Sequence, residues 1–347
     1  MFLKVFEAFA GVGSQRMALR NLGIEHEVVA IAEIDKFAIK SYEAIHGEIL
    51  NLGDISKINT EDIPDHDLFT YSFPCQDISV AGKGRGLDWL TEHGYSNYWQ
   101  VLNAKDYGVP QNRERVFVLS ILGEHEPYEF PKPVPLELRL KDVLEDEVDE
   151  KNYLSQDQID RITFSGYVQN TRRIQEKDWC DTLCARDYKD PKCVKVNQIG
   201  QYNTNTRINS NRFRVYYDLG ISPSLTTMGG GNLEPHIPIK NATKKGYIEA
   251  TDGDGIDLAY LNSESRRGRV QKEVSQTLTT DGSKGVLTDY RIRKLTPLEC
   301  WRLMGFSDGD FHKAEQVNSN TQLYKQAGNA IVVDVLEGIF SKLMEVI

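Results

Sequence analysis

Cysteine is scarce in this chain: five in 347 residues, an odd number thinly spread. That count excludes a disulfide framework and fits a reducing compartment. No apolar run approaches the ~18 residues that a membrane-crossing helix needs. The opening stretch MFLKVFEAFAGVGSQ has no long apolar core before a small-residue cleavage site. A cytoplasmic protein without a membrane partner is therefore expected. Base is short of acid, 41 against 51, for a net charge of −10. As an average this argues against a nucleic-acid partner. What is present is ordinary: 40% hydrophobic and 27% charged residues, which excludes collagen-like and broadly disordered classes. At roughly 100–200 residues per domain the length implies two domains, three at most.

The charge is unevenly placed. Residues 141–160 carry eight acids and two bases, whereas 161–220 carry eleven bases and six acids, and 261–294 eight bases and four acids. The acidic stretch reads as an exposed helical or linker segment between an N-terminal domain and a more basic one. Because screening makes fields local, a basic region in an acidic chain can still meet phosphates.

Through residue 150 short apolar runs alternate with helical patterns. LKVFEAFAG, EVVAIAEID, DLFTYSF and ERVFVLSIL read as strands; SQRMALRNLG and KFAIKSYEAIHG read as helices ending at Gly23 and Gly47. This alternation predicts an α/β fold with a parallel, doubly wound sheet. From about 160 to 290 the chain turns to Asn, Thr, Gly, Arg and Tyr with short strand-like pieces. A phrase recurs there as DTLCARDYK (181–189), PSLTTMGGG (223–231) and QTLTTDGSKG (276–285). The last 55 or so residues return to helical texture, in TPLECWRLMGF and NAIVVDVLEGIFSKLMEVI.

Four motifs carry chemistry. Phe9-Ala10-Gly11-Val12-Gly13 follows the first strand, and its glycines allow a tight turn and close approach to a ligand. Glu33-Ile34-Asp35 ends the second strand, where an acid holds a ribose diol. Gly53-Asp54 adds a third turn with a carboxylate suited to an adenine amino group. Together these point to an adenosine-containing ligand; alone, the acids would be solvated groups at a helix N-terminus. Ser72-Phe73-Pro74-Cys75-Gln76-Asp77-Ile78-Ser79 puts a cysteine at the end of the third strand, where open α/β sheets bind ligands. A thiolate there is a nucleophile, and Arg113 and Arg115 could lower its pKa. In Gln111-Asn112-Arg113-Glu114-Arg115 the alternating arginines share one strand face and need an anion or a carbonyl. Gln326-Ala327-Gly328-Asn329-Ala330 reads as the opening of the last helix, with Asn329 as its cap. Cys180, Cys184 and Cys193 lie close together, but no His is near, and no metal site is expected.

The order FAGVGS, AEID, GDI, FPCQDIS, QNRERVFV, RKLTPLECWRLMGF, YKQAGNAIVV resembles the DNA cytosine-5 methyltransferase family over nearly the whole chain. The resemblance implies a Rossmann-like S-adenosylmethionine-dependent methyltransferase sheet with a smaller, mostly β or irregular target-recognition domain. It implies a cofactor-binding catalytic domain over 1–150, target recognition over 160–290, and a return to the catalytic domain over 291–347. Phe9, Gly11, Gly13 and Phe73 would line the cofactor. Glu33 would hold its ribose, Ile34 would pack on adenine, and Asp54 would bind the adenine amino group. Cys75 would be the nucleophile, beside Pro74, with Gln76 and Ser79 in the closing active-site loop. Arg115 would contact the cytosine O2, Arg113 would support the loop, and Asn329, counted with the cofactor-binding residues, would help position the catalytic loop from the last helix. The partner implied is duplex DNA, met by a monomer of prokaryotic or phage origin at the nucleoid. A restriction endonuclease could share the same system without binding the chain.

One family motif is missing. Its Glu-Asn-Val tripeptide, whose Glu assists attack on cytosine, should lie between the Pro-Cys motif and the arginine strand. No Glu-Asn pair occurs in this chain, and only 35 residues, 76 to 110, separate Cys75 from Gln111. The text reads as if a segment had been lost near Leu87–Trp89, leaving the sheet short of a strand. Asp88, Glu92 and Asp106 are nearby acids that do not match the motif. Three functional readings follow: a methyltransferase weakened or inactivated by the deletion, a sequence-specific DNA-binding homologue without catalysis, and an RNA cytosine methyltransferase.

Overall fold

The computed structural model describes residues 2–71, 91–162, 198–201, 214–216, 237–263, 265–288 and 291–347. It divides into two compact units: Met1–Val148 with Glu273–Lys284 and Leu295–Ile347, and Asp149–Lys272 with Gly285–Lys294. The stretch Glu273–Lys284, from the Asn- and Thr-rich middle of the sequence, thus packs with the first unit.

In the first unit, β1 (Leu3–Ala8) lies between β2 (His26–Ala32) and β3 (Leu68–Thr70), all parallel. LKVFEA is buried at five of its six positions, the pattern of a central parallel strand covered on both faces. Phe6, Ala8, Ala30 and Ala32 form the core on one side, packed by Leu52, Ile55, Ile58 and Ile63. Helix α1 (Ser14–Asn21) follows β1, and α2 (Lys36–His46) follows β2. Asp35 caps α2 by accepting from the Phe37 N–H at 2.9 Å, as a short acid at this position should.

The sequence predicts ERVFVLSIL as a further parallel strand. The structure differs. Residues Glu114–Leu122 form β6, which pairs antiparallel with β4 (Tyr95–Asn103) in a separate two-stranded ladder, from Tyr95↔Leu122 to Asn103↔Glu114. The alternation YSNYWQVLN is a strand that the sequence reading passed over, and a short connection between neighbouring strands enforces the antiparallel sense. Between them the two-residue strand β5 (Gln111–Asn112) pairs with Ser275–Gln276.

The chain's C-terminal end completes this unit. Helices α3 (Pro297–Arg302), α4 (Asp308–Glu315), α5 (Asn320–Asn329) and α6 (Val333–Leu343) return to the sheet. Thr296 and Glu299 form a capping box at the start of α3, two reciprocal bonds that fix the helix entry. Buried Trp301 packs edge-on against Phe306 and Phe311. Arg20 on α1 makes a two-pronged ion pair with the buried Asp310 on α4, at 2.6 and 3.2 Å, and Asn21 donates to Glu337 on α6 at 2.7 Å.

The second unit is built of short antiparallel strands. These are β7 (Gln198–Gln201), β8 (Arg214–Tyr216), β9 (Ile237–Lys240), β10 (Tyr247–Ala250), β11 (Gly255–Asp257), β12 (Val270–Gln271), β13 (Lys284–Thr288) and β14 (Arg291–Lys294). The last four make one sheet in the order β12–β11–β13–β14. Its core holds Ile237, Ile239, Ile256, Leu287 and Ile292. Buried Arg269 stands out: its guanidinium donates to the carbonyls of Asp257, Ala259, Tyr260 and Ser263, tying down the loop before β12. The acidic stretch 141–160 is a run of short turns leading into a helix over Gln156–Ile162. Among the described residues no helix is long and apolar enough to cross a membrane.

Candidate active site

The C-terminal ends of β1 and β2 gather the first group of predicted residues. After β1 the backbone passes through positive φ at Phe9, Gly11 and Gly13. Gly13 cannot be replaced by a larger residue without movement: a Cβ there would sit 2.5 Å from His46 Nε2 and 2.9 Å from Tyr42. His46 binds the carbonyl of Val12 at 3.1 Å, so α2 holds the glycine turn from below. Burial pushes the His46 imidazole down to about 3, with the Arg16 charge adding to the effect, so at neutral pH the ring is uncharged and its Nε2–H is the donor.

Glu33 is held firmly. Its carboxylate accepts from the Gly11 N–H at 2.9 Å and from the Ile34 and Asp35 N–H groups at 2.8 Å each. The glycine turn and the end of β2 are thereby joined through one side chain. Ile34 projects into solvent with 75% of its surface exposed, a flat apolar face at the rim. Asp54 caps a short helical turn by accepting from Ser56, and Lys57 lies 3.0 Å away. The Ser56 and Lys57 hydrogen bonds hold its carboxyl down at about 2. Asp35 lowers its own pKa through Lys325, 2.7 Å away, and the Phe37 N–H, against a burial effect in the other direction.

One residue of this cluster escapes the sequence reading. Asn51 accepts from the Glu33 N–H at 3.1 Å and from the Gly53 N–H at 3.0 Å, and donates to the Glu33 carbonyl at 3.0 Å. It is the clamp that brings the Asp54 turn beside Glu33. The only signal in the sequence is an Asn two residues before a Gly-Asp turn, a common Asx arrangement.

Beneath the turn lies a buried polar pair. Glu7, fully enclosed on β1, accepts from the Tyr42 hydroxyl at 2.7 Å. Burial raises its carboxyl to about 7, although the Tyr42 bond and the Arg16 charge oppose the rise. The same burial pushes the Tyr42 phenol up.

The second group surrounds the arginine motif. The structure breaks the predicted strand at Arg113, between β5 and β6, so the two arginines have different environments. Arg113 is buried and donates to the carbonyls of Leu278, Gly328 and Ala330 at 2.9 to 3.3 Å, three carbonyl partners for a desolvated cation. Arg115 is half-buried and donates to the Glu114 carbonyl. Buried Gln111, a second residue whose role went unread, donates to the Leu303 carbonyl and accepts from the Leu278 N–H. Asn329 does not open the last helix: it ends α5, and α6 begins after Val332. Gly328, in the last turn of the helix, stands where a Cβ would lie 2.8 Å from the Thr279–Thr280 backbone. Glycine lets the helix end touch that loop directly. Arg113, Arg115 and Asn329 line one cavity of about 240 Å³, together with Leu68–Tyr71 and β6.

Phe73, Pro74, Cys75, Gln76 and Ser79 lie outside the described residues, as do the expected break at Leu87–Trp89, Asp88, the phrases at 181–189 and 223–231, and Cys180, Cys184 and Cys193. Glu92 is exposed, and Asp106 sits in a short turn before β5. Cys300 is described; it is buried, and burial pushes its thiol well up, so it does not compete as a nucleophile.

A parallel sheet with a glycine turn after β1 and an anchored acid after β2 defines an open α/β domain, which binds ligands at the carboxyl ends of its strands. Comparison with known proteins narrows the class. The family model for C-5 cytosine-specific DNA methylase matches residues 3–89 and 87–345, and the chain belongs to that family. It is 31% identical to the orphan methyltransferase M.SPBetaI of Bacillus phage SPbeta over 456 aligned positions, covering 99% of this chain and 97% of that protein. It is 30% identical to the type II methyltransferase M2.ScrFI of Lactococcus lactis subsp. cremoris, covering 99% of both, and 27% identical to the type II methyltransferase M.HhaI of Haemophilus parahaemolyticus. Among solved structures, the Entamoeba histolytica methyltransferase EhMeth aligns with a TM-score of 0.57 at 14% identity, covering 99% of this chain and 98% of that one. The S. pombe Dnmt2 methyltransferase aligns with a TM-score of 0.53 at 18% identity over the same shares. At these identities the structures speak for the fold. The two pieces of the family match meet at residues 87–89, where the sequence reads as missing a segment.

Proposed function

We propose that the chain transfers a methyl group from S-adenosylmethionine to C5 of a cytosine turned out of duplex DNA. The observation that carries this reading is the tethered cluster of Glu33, Asn51 and Asp54 beside the Gly11–Gly13 turn. The cluster fits the cofactor: a glycine turn with open space above Gly11, where a Cβ would meet only the Phe9 carbonyl at 4.0 Å, an exposed Ile34 for adenine, and two carboxylates for ribose and amino group. When bound, the sulfonium supplies an electrophilic methyl group. The chain's residues do the rest. The Cys75 thiolate adds to C6 of cytosine and turns C5 into a nucleophile; once C5 is substituted, loss of its proton expels the thiolate. Arg115 meets the base, and Arg113 holds the adjoining backbone in place. Turning the base out of the stack costs a few kcal/mol, to which the basic segment of 160–290 contributes contacts, while 291–347 completes the catalytic domain. The protein acts as a monomer in the cytoplasm of a bacterial or phage-infected cell.

The absence of a Glu-Asn pair lowers the rate: help from a general acid is typically worth ~10²–10⁴. The test is transfer of tritiated methyl groups to duplex DNA by the purified chain. Incorporation above a Cys75→Ser control, but well below that of M.SPBetaI, is the expected result. The break in the family match favours a second reading, a DNA-binding homologue without catalysis. Sequence-specific binding with incorporation equal to the control would establish it instead.

A further inference from the structure

The first unit contains two strand edges that face one cavity. Among the described residues β3 pairs with β1 alone and β6 with β4 alone. The unpaired side of each borders the cavity of about 240 Å³. Its strand walls, Leu68 on β3 and Val116 and Val118 on β6, are apolar yet only half-buried, and Phe69 keeps 42% of its surface exposed. Its floor is the apolar face of α6, with Leu336 and Ile339. Two unpaired edges above an apolar floor are an acceptor for a strand, because neighbouring strands lie about 4.8 Å apart and one strand would pair with both sides.

The sequence locates the same gap. β3 ends at Thr70 and β4 begins at Tyr95, and the two pieces of the family match meet between them, at 87–89. M.SPBetaI aligns over 456 positions with a chain of 347 residues, so it holds segments with no counterpart here. The break in the chain and the slot in the sheet therefore fall between the same two strands.

We propose that this slot is a strand-acceptor site, filled by an extended apolar segment of a second polypeptide that carries what the relatives hold at the break. The segment adds to the sheet by main-chain hydrogen bonds to β3 and β6, with alternate side chains seated on α6. The proposal deepens the methyltransferase reading, because it supplies the missing strand in trans, but binding can be measured without activity.

The test uses the full chain and a synthetic peptide with the M.SPBetaI sequence that falls between the two matched pieces. Binding is followed by calorimetry and by amide hydrogen exchange, with methyl transfer recorded separately. Protection should appear at 68–71 and 114–119 when the peptide is added. A peptide with proline at two alternate strand positions should bind about tenfold more weakly or worse, since each proline removes a ladder bond. Val118→Glu in the chain should weaken binding similarly, and the proline peptide tests the same point on the unaltered chain. No binding, equal binding by the proline peptide, or protection elsewhere would overturn the proposal. So would protection of both edges in the chain alone that grows with its concentration, which would assign the slot to a second copy. Binding without methyl transfer would leave the acceptor site standing and remove the catalytic reading; methyl transfer without peptide binding would do the reverse.

Discussion

Asn51 and Glu33 hold each other through their main chains: the Glu33 N–H donates to Asn51 Oδ1 at 3.1 Å and Asn51 Nδ2 donates to the Glu33 carbonyl at 3.0 Å. The same Oδ1 takes the Gly53 N–H. Replacing Asn51 by Ala removes three hydrogen bonds, each worth about 1 kcal/mol net, and releases the Asp54 turn. Affinity for S-adenosylmethionine should fall at least tenfold, while Tm changes by only a few degrees. Calorimetric titration with the cofactor checks this; an unchanged affinity would remove Asn51 from the site.

Gly13 faces His46 Nε2 with no room for a methyl group, at a φ of 86°. Gly13→Ala should destabilise the fold by about 1–3 kcal/mol and weaken cofactor binding further. The double variant Gly13→Ala with His46→Ala opens the space, so part of the loss should return. Denaturant melts of the two variants give the comparison.

The Glu7 carboxyl carries its proton in the folded chain up to about 7 and in an unfolded chain only to about 4.5. The folded state thus binds the extra proton between these values, and its stability declines as the pH rises from 4.5 to 7. Glu7→Gln keeps an acceptor for Tyr42 and cannot ionise. Its unfolding free energy should exceed the parent's above pH 7 and converge toward it near pH 4.5, with a gap on the order of 3 kcal/mol at most, followed by denaturant melts across the pH series. His46 acts in the opposite direction. Its pKa drops from 6.5 to about 3 on folding, so its contribution is lost as the pH falls below 6.5, in the parent and in Glu7→Gln alike.

Arg113 and Arg115 differ by two positions and not in residue type, yet one is desolvated among three carbonyls and the other is half-exposed. A lysine cannot span three carbonyls with a planar fork. Arg113→Lys should cost about 2–4 kcal/mol, whereas Arg115→Lys should stay within roughly 0.5 kcal/mol. Thermal melts separate the two, and equal losses would contradict the assignment.

An acidic chain that binds DNA through local basic segments should do so with strong salt dependence. The logarithm of affinity should fall linearly with the logarithm of salt concentration, at a slope of about −0.9 for each phosphate contacted. Filter binding across a salt series measures the slope. A flat response would show that the basic stretches at 161–220 and 261–294 do not meet phosphates.

The alternation at the start of the chain was legible because each element carries its own signal. LKVFEA is apolar at all but Lys4 and Glu7, α1 and α2 are amphipathic, and Gly23 and Gly47 mark the helix ends. β4 was not legible: YSNYWQVLN mixes Asn, Ser and Gln with aromatics, and its partner is set by the β6 edge, not by local propensity. Glu33 was readable as an acid at the end of a strand, but Asn51 reaches it through contacts eighteen residues away, which local sequence does not announce. The break in the arginine strand followed from the demands of the Arg113 guanidinium, whose acceptors come from residues 278, 328 and 330.

That guanidinium has a consequence for synthesis. Arg113 and the Ala330 carbonyl it binds stand 217 residues apart, and the end of α5 presses on the Thr279–Thr280 backbone with no gap for a Cβ. Domains usually fold as they leave the ribosome, N-terminal first. This one cannot close its arginine crossing until the end of α5 has emerged, and a premature stop after Thr280 would leave the buried cation with the Leu278 carbonyl but without those of Gly328 and Ala330.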